Sequence, residues 1–387
     1  MCDYQSSSQL NSWLYSPSLL QQCRNKANYE ARMKLSGIQL ESSSTLAPSS
    51  ALSRSFACAY AKKVADGREK SEPFETMGPM EAKNGHPYLT SSEEDLLVAF
   101  YAAKIPSLIG PLAQNPYLRR DVKITATAAL FLRRFFLSNS VMLYDPKSIM
   151  VAAAFLASKV EDAMTEVRHL EEGTKLMNSH VSQADILQAE FALLEGIRCD
   201  LLCFHPYKAV LACTEDLRMF IKSDKGRSIA TFPNGESRPV VGQDLKPMHD
   251  GARQLVDDVI VSDIPLMYSP GHVGLAALIV ANEQMVKPDV PKVDLFAYVR
   301  HRFEGKDYEH VKEQVMEISG LLKGLKEGLH GCGTHKVDLV KLKGVHKKLK
   351  KCRSGEGKKK KKRKAAASDG AGGDQDGGNG KRTKTSA

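Results

Sequence analysis

Few residues in this chain have types and spacings that could do chemistry. Cys199, Cys203 and His205 fall within seven positions, which tempts a metal reading. A structural zinc site wants four ligands, and its usual sequence mark is a C-x-x-C pair. None of the eight cysteines (Cys2, Cys23, Cys58, Cys199, Cys203, Cys213, Cys332, Cys352) forms one, so small buried thiols at a helix end are the better reading. The sequence also lacks a Gly-rich phosphate loop, a G-x-S-x-G elbow and an H-E-x-x-H helix. No catalytic residue, metal or cofactor is called for. One charged constellation remains: "FLASKVED" (155–162) begins as apolar as a buried helix and ends on Lys159, Glu161 and Asp162. A lysine there suits the helix dipole and can snorkel, whereas acids at a helix C-terminus oppose it. Charges crowded at the exit of an apolar stripe raise the question of what they face.

The elements that position this stretch are helical. Ser16-Pro17 reads as a cap followed by Pro at the first helical position, opening a helix within 11–34 that carries Leu19, Leu20, Cys23 and Ala27. Trp13, the single tryptophan, sits just before it and reads as a packing anchor. Residues 36–90 are rich in Ser, Gly and Pro, keep no period, and read as a partly disordered, low-complexity insertion. Ser91 and Glu94 have capping-box spacing. They precede a stripe of Leu96, Leu97, Phe100, Tyr101, Ile105, Leu108 and Leu112, in which Pro106 predicts a kink or early end. Helices are further predicted at 119–139, 146–162, 182–201 and 205–222. The one at 182–201, the fourth from residue 91, carries Ile186, Leu187, Phe191, Leu194 and Ile197 on one face. After a loop at 223–246, helical patterning resumes at 248–262, 269–286, 293–303 and 307–327. Almost nothing from 91 to 327 reads as strand, so the fold class is all-α.

The net charge of +10 belongs to the C-terminal tail. Residues 341–364 hold 14 Lys/Arg and one acid, which leaves residues 1–340 at −3. A slightly acidic body argues against a nucleic-acid-binding core. Within a basic, largely disordered tail (331–387), the run Lys358, Lys359, Lys360, Lys361, Lys362, Arg363 and Lys364 reads as a nuclear-import signal. The longest apolar runs, 149–157 and 273–281, fall far short of the roughly 20 residues a membrane span needs. The N-terminus has neither the basic start nor the apolar stretch of a secretory signal. A nuclear location with reduced thiols follows as the expectation, with no membrane partner.

An internal repeat gives the architecture. Residues 138–159 align with 262–283 at an offset of 124: Tyr144 meets Tyr268, Pro146 meets Pro270, and Ala152, Ala153 and Ala157 meet Ala276, Ala277 and Ala281. Small side chains let neighbouring helices approach closely, so each copy should form the centre of a bundle. The copies part at the helix exit. Lys159 meets Glu283, Val160 meets Gln284 and Glu161 meets Met285, so the charged exit looks like a property of the first copy alone.

With "FLRRFFLSNSV" (131–141), "FLASKVED" (155–162) and "AEFALLEGIRCDL" (189–201) in its first copy, the tandem resembles the cyclin family. The resemblance implies two five-helix cyclin boxes, at 91–222 and 247–330, joined by a linker at 223–246 and preceded by an N-terminal helix segment (1–35). The N-terminal "SSSQLNSWLYSPSLLQQCRNKAN", the "NSVMLYDP" stretch and the basic tail are similar to the H-type branch, with the C-type branch as near neighbour. The segments 36–90 and 223–246 depart from both. What the resemblance implies is a non-catalytic subunit that binds and activates a cyclin-dependent kinase. For the H-type branch this is the CDK-activating kinase, with a RING-containing assembly factor and TFIIH. Its kinase acts on CDK activation loops and on the C-terminal repeats of RNA polymerase II. For the C-type branch it is the Mediator kinase module. Matched motif by motif, Lys159 and Glu190 stand side by side on the kinase-facing surface, with Val160, Glu161, Leu194 and Leu201 around them. The resemblance also implies that the helix with Trp13, Leu19 and Leu20 packs on the first box. The core of TFIIB likewise has two cyclin-like repeats, but a DNA-binding factor of that kind would want a basic core and an N-terminal zinc ribbon.

Overall fold

The computed structural model describes residues 3–37, 86–235, 238–285, 287–302, 306–327 and 340–353. Most of the expected insertion (38–85) and the import run 358–364 lie outside the described residues. Two helices open the chain, α1 (Ser8–Ser12) and α2 (Pro17–Ser36). The Ser16 hydroxyl accepts from the Leu19 N–H at 3.3 Å and Pro17 occupies the first turn, as the sequence requires.

Two bundles of five helices follow, and the fold is all-α. The first comprises α3 (Ser91–Leu108), α4 (Val122–Ser138), α5 (Pro146–Val160), α6 (Val167–Leu176) and α7 (Gln183–Gly196). Its centre is α5, packed against α3, α4 and α7, with Ala152, Ala153, Ala154 and Ala157 fully buried. The second comprises α8 (Pro206–Phe220), α9 (Lys246–Val259), α10 (Pro270–Gln284), α11 (Leu295–Arg302) and α12 (Lys306–Glu327). Here α10 is central, packed against α8, α9 and α12, and Ala276, Ala277 and Ala281 are buried. A Cβ on Gly274 would lie 2.7 Å from that of Ala209, so glycine is what lets α10 approach α8 this closely. The one sheet among the described residues is a two-residue antiparallel pair, Ala230–Thr231 with Lys292–Val293.

Several local expectations are corrected. The capping box is Thr90 with Glu93, one residue earlier than the predicted pair. Glu94 instead points inward, accepting from Asn28 Nδ2 (2.6 Å), Ser140 Oγ (2.7 Å) and the Val141 N–H (3.0 Å). Burial pushes its carboxyl up to about 7 despite those donors. Pro106 falls in the last turn of α3, which ends two residues later at Leu108, short of the stripe's Leu112, which lies beyond the helix and is exposed. Helix α6 went unpredicted because its buried face is only Leu170, Gly173 and Thr174. Glu190 is therefore on the fifth helix of its bundle, not the fourth. Helix α8, assigned by sequence to the first bundle, packs on α9 and α10 and so opens the second.

The tail is corrected as well. Residues 340–353 form a helix, α13, that buries Leu342, Val345, Leu349 and Cys352. Lys348 pairs with Glu93 at 2.7 Å, and Arg353 pairs with Asp145 at 3.1 Å and donates to the Tyr144 carbonyl at 2.6 Å, fixing α13 to the first bundle.

The two bundles and the N-terminal segment are locked by shared charges. Asp263, buried between them, receives Arg133 from α4 and Arg24 from α2 (2.7 Å), and Arg24 also reaches Asp95 at 2.9 Å. Burial would raise the Asp263 carboxyl, but the two guanidiniums outweigh it and hold it below the usual range. Trp13 and Leu20 are buried with Leu130, Leu137 and Leu266, and Leu19 packs on the edge of that cluster. The Trp13 indole donates to Asp200 Oδ2 at 2.8 Å, and the Arg134 and Arg198 guanidiniums stack over its ring.

Candidate functional site

Helix α5 ends in an orderly turn. Asp162 is left-handed (φ 53°), its N–H reaches the Lys159 carbonyl at 3.3 Å, and the Ala163 N–H reaches the Ser158 carbonyl at 2.9 Å. This is a Schellman termination with Asp where glycine is usual. It answers the carbonyls of α5 from its own backbone and leaves the Lys159 side chain free to run sideways. The ammonium lies 3.9 Å from the centre of the Phe155 ring and bonds both carboxylate oxygens of Glu190, at 2.7 and 3.0 Å. Glu190 is almost wholly buried while Lys159 keeps about a third of its surface (11% and 35% exposed), so the pair presents a cation on an otherwise closed edge.

Glu161 is turned inward rather than toward that edge. Thr127 Oγ1 donates to it at 2.6 Å and Lys123 pairs with its other oxygen. Thr127 has a single proton, spent on Glu161, so the His205 Nε2 at 2.7 Å must be the donor to Thr127. Burial, with Arg134, Lys123 and Lys208 nearby, pushes the His205 imidazole down to about 3 and keeps it neutral. The chain from His205 through Thr127 to Glu161 ties the end of α5 to α4 and to the start of α8. Glu161 is held as an internal staple by these contacts, and it borders the cleft beside Val160 and Leu201.

Around the Lys159–Glu190 pair the surface is apolar. Helix α7 carries two stripes: Ile186, Ala189, Leu193 and Ile197 are buried, whereas Leu187, Glu190, Phe191 and Leu194 run along another face at i, i+3, i+4 and i+7. Leu187 is 43% and Phe191 76% exposed while Ile186 and Ile197 are buried, so the single face expected from the sequence divides into these two. Val160, Leu194 and Leu201 are half-buried against the core beneath. Sequence reasoning did not single out Phe191, the most exposed residue of this apolar stripe, and the second stripe was its signal. The surface continues past Val160 and Leu201 into a cleft of about 790 Å³ between the bundles, which His205, Tyr207 and Arg253 also line.

The Cys199, Cys203 and His205 trio is dispersed. Cys199 is exposed, Cys203 sits by Arg134, and His205 is committed to Thr127. No described His, Cys, Asp or Glu residues group in threes as a metal site would need. No described helix is long and apolar enough to cross a membrane.

Comparison with known proteins places the fold. The family model for the cyclin N-terminal domain matches residues 117–202, and that for the cyclin C-terminal domain matches 205–354. The second match begins where packing passes from α7 to α8. The chain is 26% identical over 358 residues to Cyclin-H1-1 of Arabidopsis thaliana, covering 91% of this chain and 89% of that one. To Cyclin CCL1 of Saccharomyces cerevisiae it is 32% identical over 198 residues, 51% of this chain and 44% of that one. Its fold is similar to that of a chain in the CAK complex of Chaetomium thermophilum bound to ATP-gamma-S, with TM-score 0.61, 24% identity, and coverage of 97% and 98%. A chain of the yeast TFIIK (Kin28/Ccl1/Tfb3) complex gives TM-score 0.52 at 22% identity, with 82% and 100% covered.

Proposed function

This chain belongs to the cyclin family, and from that premise we propose that it is the cyclin H-like regulatory subunit of a CDK-activating kinase. Relatives it matches include cyclin-H and CCL1 chains, and solved neighbours include chains of CAK and TFIIK complexes. The reading extends to a cyclin-dependent kinase as partner, a RING-containing third subunit, association with TFIIH, and a nuclear location. The subunit itself is non-catalytic in this proposal; its kinase phosphorylates CDK activation loops and RNA polymerase II C-terminal repeats.

The observation that carries the site is the Lys159–Glu190 pair set among Phe191, Leu187 and Leu194. A protein kinase is active only when its β3 lysine meets the αC glutamate and its activation loop is ordered. A rigid apolar platform that receives αC favours that arrangement by binding it better than the alternatives. Lys159 donates to carbonyl oxygens at the end of αC or in the loop before it. Glu190 holds the ammonium in place and compensates its charge once the interface excludes water. Breaking a desolvated pair costs about 3–5 kcal/mol, enough to dissolve a micromolar complex.

The test is capture and activation of the kinase by Lys159→Ala/Glu190→Ala. Loss of both with an unchanged thermal melt supports the reading; normal activation overturns the site. Purification from cells that returns a CDK with TFIIH subunits supports the H-type role. Mediator subunits in their place would assign the C-type role instead.

A further inference from the structure

Helix α13 carries more charge than its anchoring uses. Over 340–353 there are seven Lys and Arg and no acid. One stripe (Leu342, Val345, Leu349, Cys352) is buried on the first bundle. Lys348 is spent as an anchor on Glu93 and Arg353 on Asp145. Lys343, Lys347 and Lys350 stand exposed at i, i+4 and i+7, which places them on one ridge about 10 Å long. Like charges at these spacings oppose the helix by a few tenths of a kcal/mol each. A face needed only for solubility would mix signs; this one does not.

We propose that the lysine ridge of α13 is a sequence-independent binding surface for the phosphate backbone of nucleic acid, separate from the kinase-facing surface on α5 and α7. Each strand of duplex DNA carries one phosphate per roughly 3.4 Å of axis, so a ridge of about 10 Å lies opposite about three phosphates of one strand, one for each lysine. Helical lysines fixed on a folded body are the footprint of backbone contact, which positions a protein without reading bases. An import receptor that takes basic residues as an extended strand needs a free main chain, and the main chain of 343–350 is consumed in the helix. That is why the ridge suits phosphate better than an import receptor. The body's charge of −3 does not contribute, so binding is local to this edge and steep in salt.

The experiment measures binding of the full chain to a labelled duplex of roughly 20 base pairs and arbitrary sequence, from about 50 to 200 mM salt. Lys343→Gln/Lys347→Gln/Lys350→Gln retains good helix formers and both anchors. This triple variant is expected to bind at least about tenfold more weakly, with the slope of log K against log salt reduced by about three. Lys→Arg at the same positions restores wild-type binding. Neutralising 358–364 alone leaves a binding component that the triple change then removes. Kinase capture by the triple variant stays normal, which separates this result from the proposed regulatory role. An unchanged salt slope, or loss of all binding on neutralising 358–364 alone, overturns the proposal. So does a triple variant that binds duplex normally and loses only an import receptor.

Discussion

The central helices of the two boxes end differently, and the difference separates packing from function. Both are alanine-rich, begin at Pro after a Tyr-x-Pro start, and are buried by their neighbours. At the first exit, the backbone turns through left-handed Asp162 and closes its own carbonyls, releasing Lys159 to Glu190. At the second, Met285 is extended and no such turn forms. Lys292, from the short strand Lys292–Val293, reaches back to the carbonyls of Asn282 (2.5 Å) and Glu283 (3.2 Å). The position matching Lys159 is Glu283, which pairs with Lys323 on α12 at 2.6 Å. The second box therefore has not simply lost the pair: it joins the same two helices with the signs reversed. Both partners there are about half exposed, and an exposed pair contributes little. Capping is needed in both copies, but only the first leaves a lysine and an apolar rim available to a partner.

The largest effect should come from the joint between the boxes. Asp263→Ala leaves Arg133 buried with its carboxylate removed, and Arg24 with one acid instead of two. Stranding a buried charge costs about 3–5 kcal/mol, read as a lower urea midpoint. A midpoint within error of wild type would show that the boxes do not depend on this joint. Next comes the sign swap. Lys159→Glu gives the first box the residue of the second and sets two carboxylates face to face. About a hundredfold loss of kinase affinity, near 3 kcal/mol, is expected. The mirror change Glu283→Lys should leave capture intact. Equal losses from both changes would erase the functional distinction between the boxes.

How far the sequence could anticipate this depends on how local each cause is. Alanine spacing fixed the two central helices, and the motif match paired Lys159 with Glu190 across 31 residues. Helix α7 was harder: apolar residues on two stripes do not say which stripe faces inward, so Phe191 and Leu187 were grouped on one face with the buried Ile186 and Ile197. Glu161 turned inward because Thr127 and Lys123 arrive from α4, a contact no local spacing records. Helix α8 follows the second box because its partners are α9 and α10, both later in the chain. Helix α13 is the opposite case, since Leu342, Val345, Leu349 and Cys352 keep a 3-4-3 spacing that the lysines around them obscured.

A smaller effect tests the staple behind Lys159. The folded His205 value, about 3, lies below the ordinary 6.5, so between these values the unfolded chain binds the proton and the folded chain does not. The stability is complete above about 6.5 and declines as pH falls, by about 2 kcal/mol at pH 5. Glu94 acts oppositely: its raised value lets the folded chain bind the proton first, adding stability as pH falls from about 7 toward 4.5. The two are separated by His205→Gln, which keeps a donor toward Thr127 but cannot titrate. Its stability should fall less than wild type between pH 6.5 and 5. Parallel curves would mean that His205 is not held neutral.

The smallest effect concerns the cap that the second box had to import. Lys292→Ala removes the donor to the last carbonyls of α10, a charge-assisted contact made from a half-buried side chain. About 1 kcal/mol of stability should be lost, below the worth of a fully buried charged bond because the half-exposed ammonium is also solvated, measured as a shift in urea midpoint. Kinase capture should not change, because the proposed kinase-facing surface lies at the first exit. Lys159→Ala is the matched control. It should cost less stability than Lys292→Ala, since α5 is capped by its own backbone, yet cost far more in capture. If Lys159→Ala proves the more destabilising of the two, its lysine is a structural device after all, and the contrast between the two exits fails.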